Sequence, residues 1–324
     1  MLNRGLRPLR QRLASCLASS SAAASAAAGP SDDGGVNVAR WPVHALESAE
    51  CSAVLAAARE QLQRTGCASF PHFLAPGALQ RAASEAARLA PSAFVTDAEH
   101  NAYQAPSADP ALPPTHVRNL PMRTRVASTA FDELAPDSAL RALYLWPGLT
   151  PFLSAVTGTP VHRLADALGC CSVNVFRQGW EHAWHFDEAE TTVTLCLQPA
   201  AAGGEFEFSP LLRDHDGDLA EHAVRAILER HSSYEPCGGG GGGVSGGGVG
   251  GDDAPPVSTA PFEAGTLQVF KGRYCLHRVK RTEGPRDRLV AVLCFAERPG
   301  VFNSASVQKM FWGREKDPLP ALDC

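Results

Sequence analysis

The triplet His185-Phe186-Asp187 closes the stretch HAWHFD, just before the apolar run TTVTLCLQ (191–198). Residues i and i+2 of a strand face the same side, so this imidazole and carboxylate can meet one ion. The triplet alone is weak. A composition of 11 His and 34 acids in 324 residues yields about one H-x-[D/E] by chance, and one occurs. Without an ion, the pair would be a solvated or mutually paired strand end. His277 strengthens the metal reading. It follows TLQVFKGRYCL, which opens as a strand, and an antiparallel neighbour would bring it beside the first pair. Two His and one carboxylate with open positions suit a redox-active divalent metal. Arg288 then stands at the start of RLVAVLCF, where a guanidinium can hold a carboxylate through two parallel hydrogen bonds.

These side chains need elements to carry them. Residues 47–66 place apolar positions three and four apart, with acids near the start and Gly66 as a stop, which is a helix pattern. FPHFL (70–74) reads as a short strand and PGALQRAASEAARLA (76–90) as a second helix. Residues 94–128, rich in Pro, Asn and Asp, read as a long ordered loop, and 137–158 as two short helices broken at Pro147. From there CSVNVF, TTVTLCLQ, EFEFSP, TLQVFKG and RLVAVLCFA are short, β-branched or aromatic, and bounded by Gly, Pro and Asp. Gly203-Gly204 reads as a tight hairpin between the second and third. Residues 218–231 form an amphipathic helix, and the glycine run 237–251 is a low-complexity insertion that can bury nothing. The expected class is α+β, with flanking N-terminal helices before a double-sheet barrel. One domain over 46–310 is expected, with its core at 170–300, a linker at 31–45 and a tail at 311–324.

The order HFD, GGEFEF, GTLQVF, His277 and then Arg288 resembles the Fe(II)/2-oxoglutarate dioxygenases, whose core is a double-stranded β-helix of jelly-roll or cupin type. VNVFRQGWEHAWHFD is similar to the N-x-Y…HxD spacing of the nucleobase-repair branch, where Asn and Tyr touch 2-oxoglutarate. Asn174 matches; Phe176 replaces the Tyr and has no hydroxyl. GCASFPHFL, DAEHNAY and LRALYLWPGL extend the resemblance to residues 60–310 and to small-molecule oxygenases related to the free amino-acid halogenases. The resemblance implies that His185, Asp187 and His277 hold Fe(II). It implies that Arg288 and Asn174 hold 2-oxoglutarate. O2 would be consumed, succinate formed and a C–H bond hydroxylated, with ascorbate supporting activity. In the related halogenases a small residue replaces the carboxylate ligand and leaves room for chloride; Asp187 fills that place, so hydroxylation is expected. Those enzymes also use polar residues on the strand after the arginine to hold their amino acid. Val292 and Cys294 stand there instead, so the implied substrate is another amino acid or a related small metabolite, not free lysine. Two other readings stay open: a prolyl-hydroxylase-like enzyme acting on a protein side chain in a groove formed by 94–128, and a non-catalytic binding protein that kept the barrel.

His182, Glu188 and Arg123 are further candidates, for substrate contact. They offer an imidazole, a carboxylate for an amine, and (with Arg125) a guanidinium for a carboxylate. Each also reads as an ordinary buried or solvated side chain. Trp184 reads as core. Arg286, in the GPRDR turn, rivals Arg288, which abuts the strand. The chain has no phosphate loop ending in Lys-Ser/Thr, and its G-x-S-x-G string, GVSGG at 243–247, lies within the low-complexity glycine run and does not resemble a strand-to-helix nucleophile turn.

A net charge of −5 without a long basic run argues against nucleic acid or an anionic membrane as partner. Ten cysteines without a CxxC pair read as free thiols. At the N-terminus, Arg4, Arg7, Arg10 and Arg12 precede any acid, in a Ser/Ala-rich stretch. That is the composition of a transit peptide over 1–30, mitochondrial or plastid, or else of a disordered tail on a cytoplasmic protein, and residues 13–30 are too weakly apolar for a membrane span.

Overall fold

The computed structural model describes residues 33–105, 108–214, 217, 219–231 and 254–320. The transit-peptide reading of 1–30 and the glycine run 237–251 lie outside them.

Ser48 caps α1 (Ala49–Thr65), its hydroxyl accepting from Cys51 N–H, and Gly66 ends it at a left-handed φ of 88°. The next strand, β1 (Cys67–Phe70), is CASF and not FPHFL. Pro71 has no N–H for a ladder, and His72 turns the chain at φ 55°. Pro76 opens α2 (Pro76–Leu89). The stretch expected to be a loop instead contains β2 (Phe94–His100) and β3 (Met122–Thr129), paired antiparallel. Phe94, Val95, Thr96 and Val126 are strand formers; the Pro, Asn and Asp responsible for the loop reading cluster in 101–121. The short helices α3 (Ala139–Leu145) and α4 (Leu149–Thr157) flank Pro147 as expected.

The strand-rich half follows. It contains β4 (His162–Arg163), β5 (Cys171–Phe176), β6 (His182–His185), β7 (Thr191–Gln198), β8 (Ala202–Gly203) and β9 (Phe206–Leu211). After α5 (Glu221–His231) come β10 (Ser258–Ala260), β11 (Leu267–Phe270), β12 (Cys275–Val279), β13 (Thr282–Glu283), β14 (Arg288–Ala296) and α6 (Ala305–Trp312). The larger sheet runs β1-β11-β7-β14-β5-β3-β2, with β4 paired to β14; the smaller runs β10-β9-β12-β6. They meet face to face. The ring of Phe270 on β11 lies 5.0 Å from Phe206 and 4.9 Å from His277 on the smaller sheet. The result is a double-stranded β-helix in an α+β fold. β7 is buried along nearly its whole length because the smaller sheet covers one face and α2 packs on the other.

Gly203-Gly204 is not a hairpin between β7 and β9, since those strands belong to different sheets. Both glycines have positive φ and carry the chain across the barrel, while β8 pairs with β13. The expected tail also begins too early. α6 continues through Phe311 and Trp312, and both are buried. The seven described cysteines are free. No described helix is long and apolar enough to cross a membrane.

Candidate active site

β6 and β12 pair with His185 directly opposite His277. Asp187, two residues beyond His185, completes a cluster whose ligand atoms lie within 4.8 Å of one another. Each imidazole Nε2 is 3.4 Å from Asp187 Oδ1. The other ring nitrogens are committed: His185 Nδ1 lies 2.8 Å from Ala183 O, and His277 Nδ1 2.9 Å from Cys275 O. A carbonyl can only accept, so each Nδ1 carries the proton and each Nε2 turns a lone pair inward. Burial pushes the His185 imidazole down, and His277 adds to that. Burial pushes Asp187 up, but its interactions with the His277 and His185 imidazoles outweigh it and hold the carboxyl well below its usual range. An imidazole that keeps its proton on Nδ1 can offer Nε2 to a metal beside the carboxylate.

Two residues not singled out in the sequence brace this set. Thr192 Oγ1 donates to Asp187 Oδ2 at 2.6 Å. Gly272 accepts from Asp187 N–H at 3.0 Å, and a Cβ at Gly272 would collide with Asp187 Oδ2 and Thr192 Oγ1. The only signal for Gly272 was a glycine after VFK, indistinguishable from an ordinary turn.

Arg288 is 1% exposed. Its Nε donates to Gly204 O at 3.0 Å, and its Cζ lies 3.7 Å from the Phe262 ring centroid and 5.2 Å from that of Phe176. Nη1 is buried with no hydrogen-bond partner, and no described carboxylate pairs with the group. Burial lowers its pKa to about 9, so it remains cationic at neutral pH. A buried, unpaired guanidinium is costly and fits a site completed by an anion. Arg286 does something else. Its Nε and Nη2 donate to Pro199 O and Ala200 O, fastening an exposed turn. Asn174 lines an inner cavity, two residues along β5 from Phe176, and its Oδ1 accepts from Ser128 Oγ at 2.9 Å.

That inner cavity is about 80 Å³ and includes Asp187 and His182 in its wall, under Val307, Phe311 and Trp312 of α6. His182 stacks on His185 with ring centroids 3.7 Å apart and 12° between planes. Its buried Nε2 has no partner. Burial, with His185 and His100 nearby, keeps the ring well below its usual pKa. An outer cleft of about 880 Å³ opens on the other side of Asp187, walled by Tyr103, Phe186, Phe302 and the arginines 118, 213 and 273.

Two expected substrate contacts look different in the structure. Glu188 lines both cavities, but its two oxygens accept from Ser304 N–H (2.7 Å) and Ser304 Oγ (2.6 Å), so it latches the start of α6 and is not left open to an amine. Arg123 borders neither cavity. It lies on the exposed side of β3 with its Nε 2.8 Å from Asp97 Oδ1, and Arg125 joins the same carboxylate. Alternation explains this: Thr124 and Ser128 take the inward face, so residues 123 and 125 must point out. Trp184 is core, 1% exposed, with Arg278 over its ring.

No protein-family model matches this chain, and no curated protein matches it. Solved structures match its fold. SnoN, a non-heme alpha ketoglutarate dependent epimerase from nogalamycin biosynthesis, superposes with a TM-score of 0.53 at 16% identity, over 83% of this chain and 94% of that one. The same epimerase in complex with Fe3+, alpha ketoglutarate and nogalamycin RO gives 0.52, with the same identity and coverage. A Pseudomonas putida prolyl-4-hydroxylase gives 0.41 at 16% identity, over 74% of this chain and 97% of that one. The chain thus shares the double-stranded β-helix seen in oxygenases of this type.

Proposed function

We propose that this protein is an Fe(II)- and 2-oxoglutarate-dependent dioxygenase that hydroxylates a C–H bond of a small molecule, an amino acid or related metabolite. The observation that carries the reading is the convergence of His185, Asp187 and His277 inside a barrel that also buries Arg288, whose Nη1 has no partner. The donor set, two imidazoles and one carboxylate, fits Fe(II) with positions to spare. The fold supports the reading, since SnoN holds Fe3+ and alpha ketoglutarate on the same architecture. Iron held here would supply O2 activation coupled to decarboxylation of 2-oxoglutarate.

The chain's own residues do the positioning. The carbonyls of Ala183 and Cys275 fix the imidazole tautomers, and Thr192 fixes the carboxylate. Arg288 takes the distal carboxylate of 2-oxoglutarate, and the rings of Phe176 and Phe262 keep water from competing for it. Asp187 fills the ligand position that a halide would need, so hydroxylation is the outcome. Val307, Phe311 and Trp312 close the inner cavity against water beside the reacting centre. The test is succinate formation from 2-oxoglutarate by the Fe(II)-loaded protein with ascorbate and O2. Turnover in the wild type and its loss in His185→Ala, Asp187→Ala and His277→Ala are expected. A fully metal-loaded wild type that makes no succinate, with or without a metabolite extract, refutes the reading. We also propose that residues 1–30 direct mitochondrial import; a fluorescent protein carrying them that stays in the cytosol would exclude it.

A further inference from the structure

The inner cavity has a recognition chemistry of its own, which builds on the oxygenase reading. At about 80 Å³ it is roughly half the size of a ~150 Å³ cavity that accepts benzene, so it takes a group of a few heavy atoms. The rest of a substrate would occupy the outer cleft, which shares Asp187, Glu188 and Asn303 with it.

Gln104 is the informative wall residue. Its backbone is left-handed, φ 58°, which is uncommon for a residue other than glycine and carries strain. Asn101 holds it there: Gln104 N–H donates to Asn101 O, and the N–H groups of Tyr103 and Ala105 donate to Asn101 Oδ1. The side chain is turned inward and is 8% exposed. Its Nε2 donates at 2.9 Å to Phe186 O, the carbonyl immediately before Asp187. A carbonyl can only accept, so this bond fixes which end of the amide is nitrogen. Oε1 is therefore the other end, and it is buried with no partner. His182 Nε2, in the same wall, is likewise orphaned. Buried orphans of this kind are rare and costly unless a ligand completes them.

Charge narrows the ligand further. The cavity wall contains no Lys or Arg. Its carboxylates are Asp187, the candidate ligand, and Glu188, already bonded twice by Ser304. A carboxylate would find no cationic side chain in that wall, and Glu188, latched to α6 through both oxygens, is not free to turn towards an ammonium; an unpaired buried charge is costly.

We propose that the inner cavity is a subsite for the uncharged, hydrogen-bond-donating end of the substrate, a carboxamide or hydroxyl, with Gln104 Oε1 as its acceptor. The charged groups of an amino-acid-like substrate then remain in the outer cleft.

The test uses the full chain loaded with Fe(II) and 2-oxoglutarate without O2. The probes are propionamide, its donor-free isostere butanone, propionate and propylammonium, with binding read by ligand-observed NMR. Propionamide should bind at least about tenfold more tightly than each of the other three, as expected where a buried polar group is left unpaired. In Gln104→Leu the preference for propionamide over butanone should collapse towards one. That ratio cancels any general effect of the substitution on the metal. Equal binding of propionamide and butanone by the wild type, stronger binding of either charged probe, or no binding of any probe overturns the subsite. Succinate formation, measured separately on the same preparation, decides the oxygenase reading. Turnover with the wrong probe preference sinks the subsite alone, and the right preference without turnover sinks the oxygenase alone.

Discussion

Thr192→Val removes one hydroxyl and nearly nothing else. The residue is 2% exposed, and valine reproduces its branched shape on a strand that favours it. The lost contact is the 2.6 Å hydrogen bond to Asp187 Oδ2. A hydrogen bond to a charged group contributes about 1.5–3 kcal/mol, and 1.4 kcal/mol is roughly tenfold in a binding constant. Metal affinity should therefore fall by about 10- to 100-fold, in line with the loss of other residues that orient metal ligands. Thr194→Val is the control. It sits two residues along the same face of β7, and its hydroxyl donates to Gln268 Oε1 at 3.0 Å, away from the ligands. Anaerobic calorimetric titration with Fe(II) or Co(II) measures all three proteins. Thr192→Ser, which restores the hydroxyl, should recover most of the affinity. Unchanged affinity in Thr192→Val, or an equal loss in Thr194→Val, would refute the claim that this hydroxyl holds the carboxylate in place.

Arg288→Ala should raise the 2-oxoglutarate requirement about a hundredfold, the loss of a charge-assisted bidentate contact, whereas Arg286→Ala should change it little; steady-state titration of 2-oxoglutarate compares them, and a larger effect at Arg286 reverses the assignment. Gly272→Ala should weaken metal binding by at least about tenfold, because the new methyl collides with Asp187 and Thr192; wild-type affinity by the same calorimetry would mean that the strand ends yield easily. His100 titrates at about 4, pushed down chiefly by burial and further by His185. Its folded pKa is depressed, so the unfolded chain takes up a proton first and stability falls as the pH drops below about 6.5. Between pH 6.5 and 5 this amounts to about 1.5 kcal/mol, an amount His100→Gln should not lose; parallel denaturant melts at the two pH values check it.

The barrel was legible because its strands are nearly pure. CSVNVF, TTVTLCLQ and RLVAVLCFA are buried on both faces, and such runs have few alternatives to a central strand. The misreadings fell where one local signal served two structures. The prolines, Asn and Asp of 101–121 colour their neighbours, so the edge strand β2 and its partner β3 read as loop although their β-branched residues are ordinary strand formers. Gly203-Gly204 carries the positive φ that a hairpin would use, yet the same φ serves a crossing between sheets. Backbone conformation is local, whereas strand partnership depends on chain far away, and a dipeptide reports only the first.

The site divides along the same line. His185 and Asp187 are two residues apart, and a strand converts that spacing directly into a shared face; His277 needed only an antiparallel neighbour, and β12 supplies it. Arg288 was preferred to Arg286 because it abuts the strand, and the barrel buries the first while leaving the second to fasten a turn. Residues whose importance is relational were out of reach. Thr192 is one of several threonines and serines facing the interior along these strands, and only the folded chain shows which hydroxyl meets Asp187. Glu188 illustrates the converse. An acid beside a ligand suggests a substrate amine until Ser304, 116 residues later, returns at the start of α6 and takes both oxygens. The metal set is therefore written in short spacing, while the residues that tune and close it are written in contacts across the chain. This is why a sequence can disclose the chemistry well before it discloses the substrate.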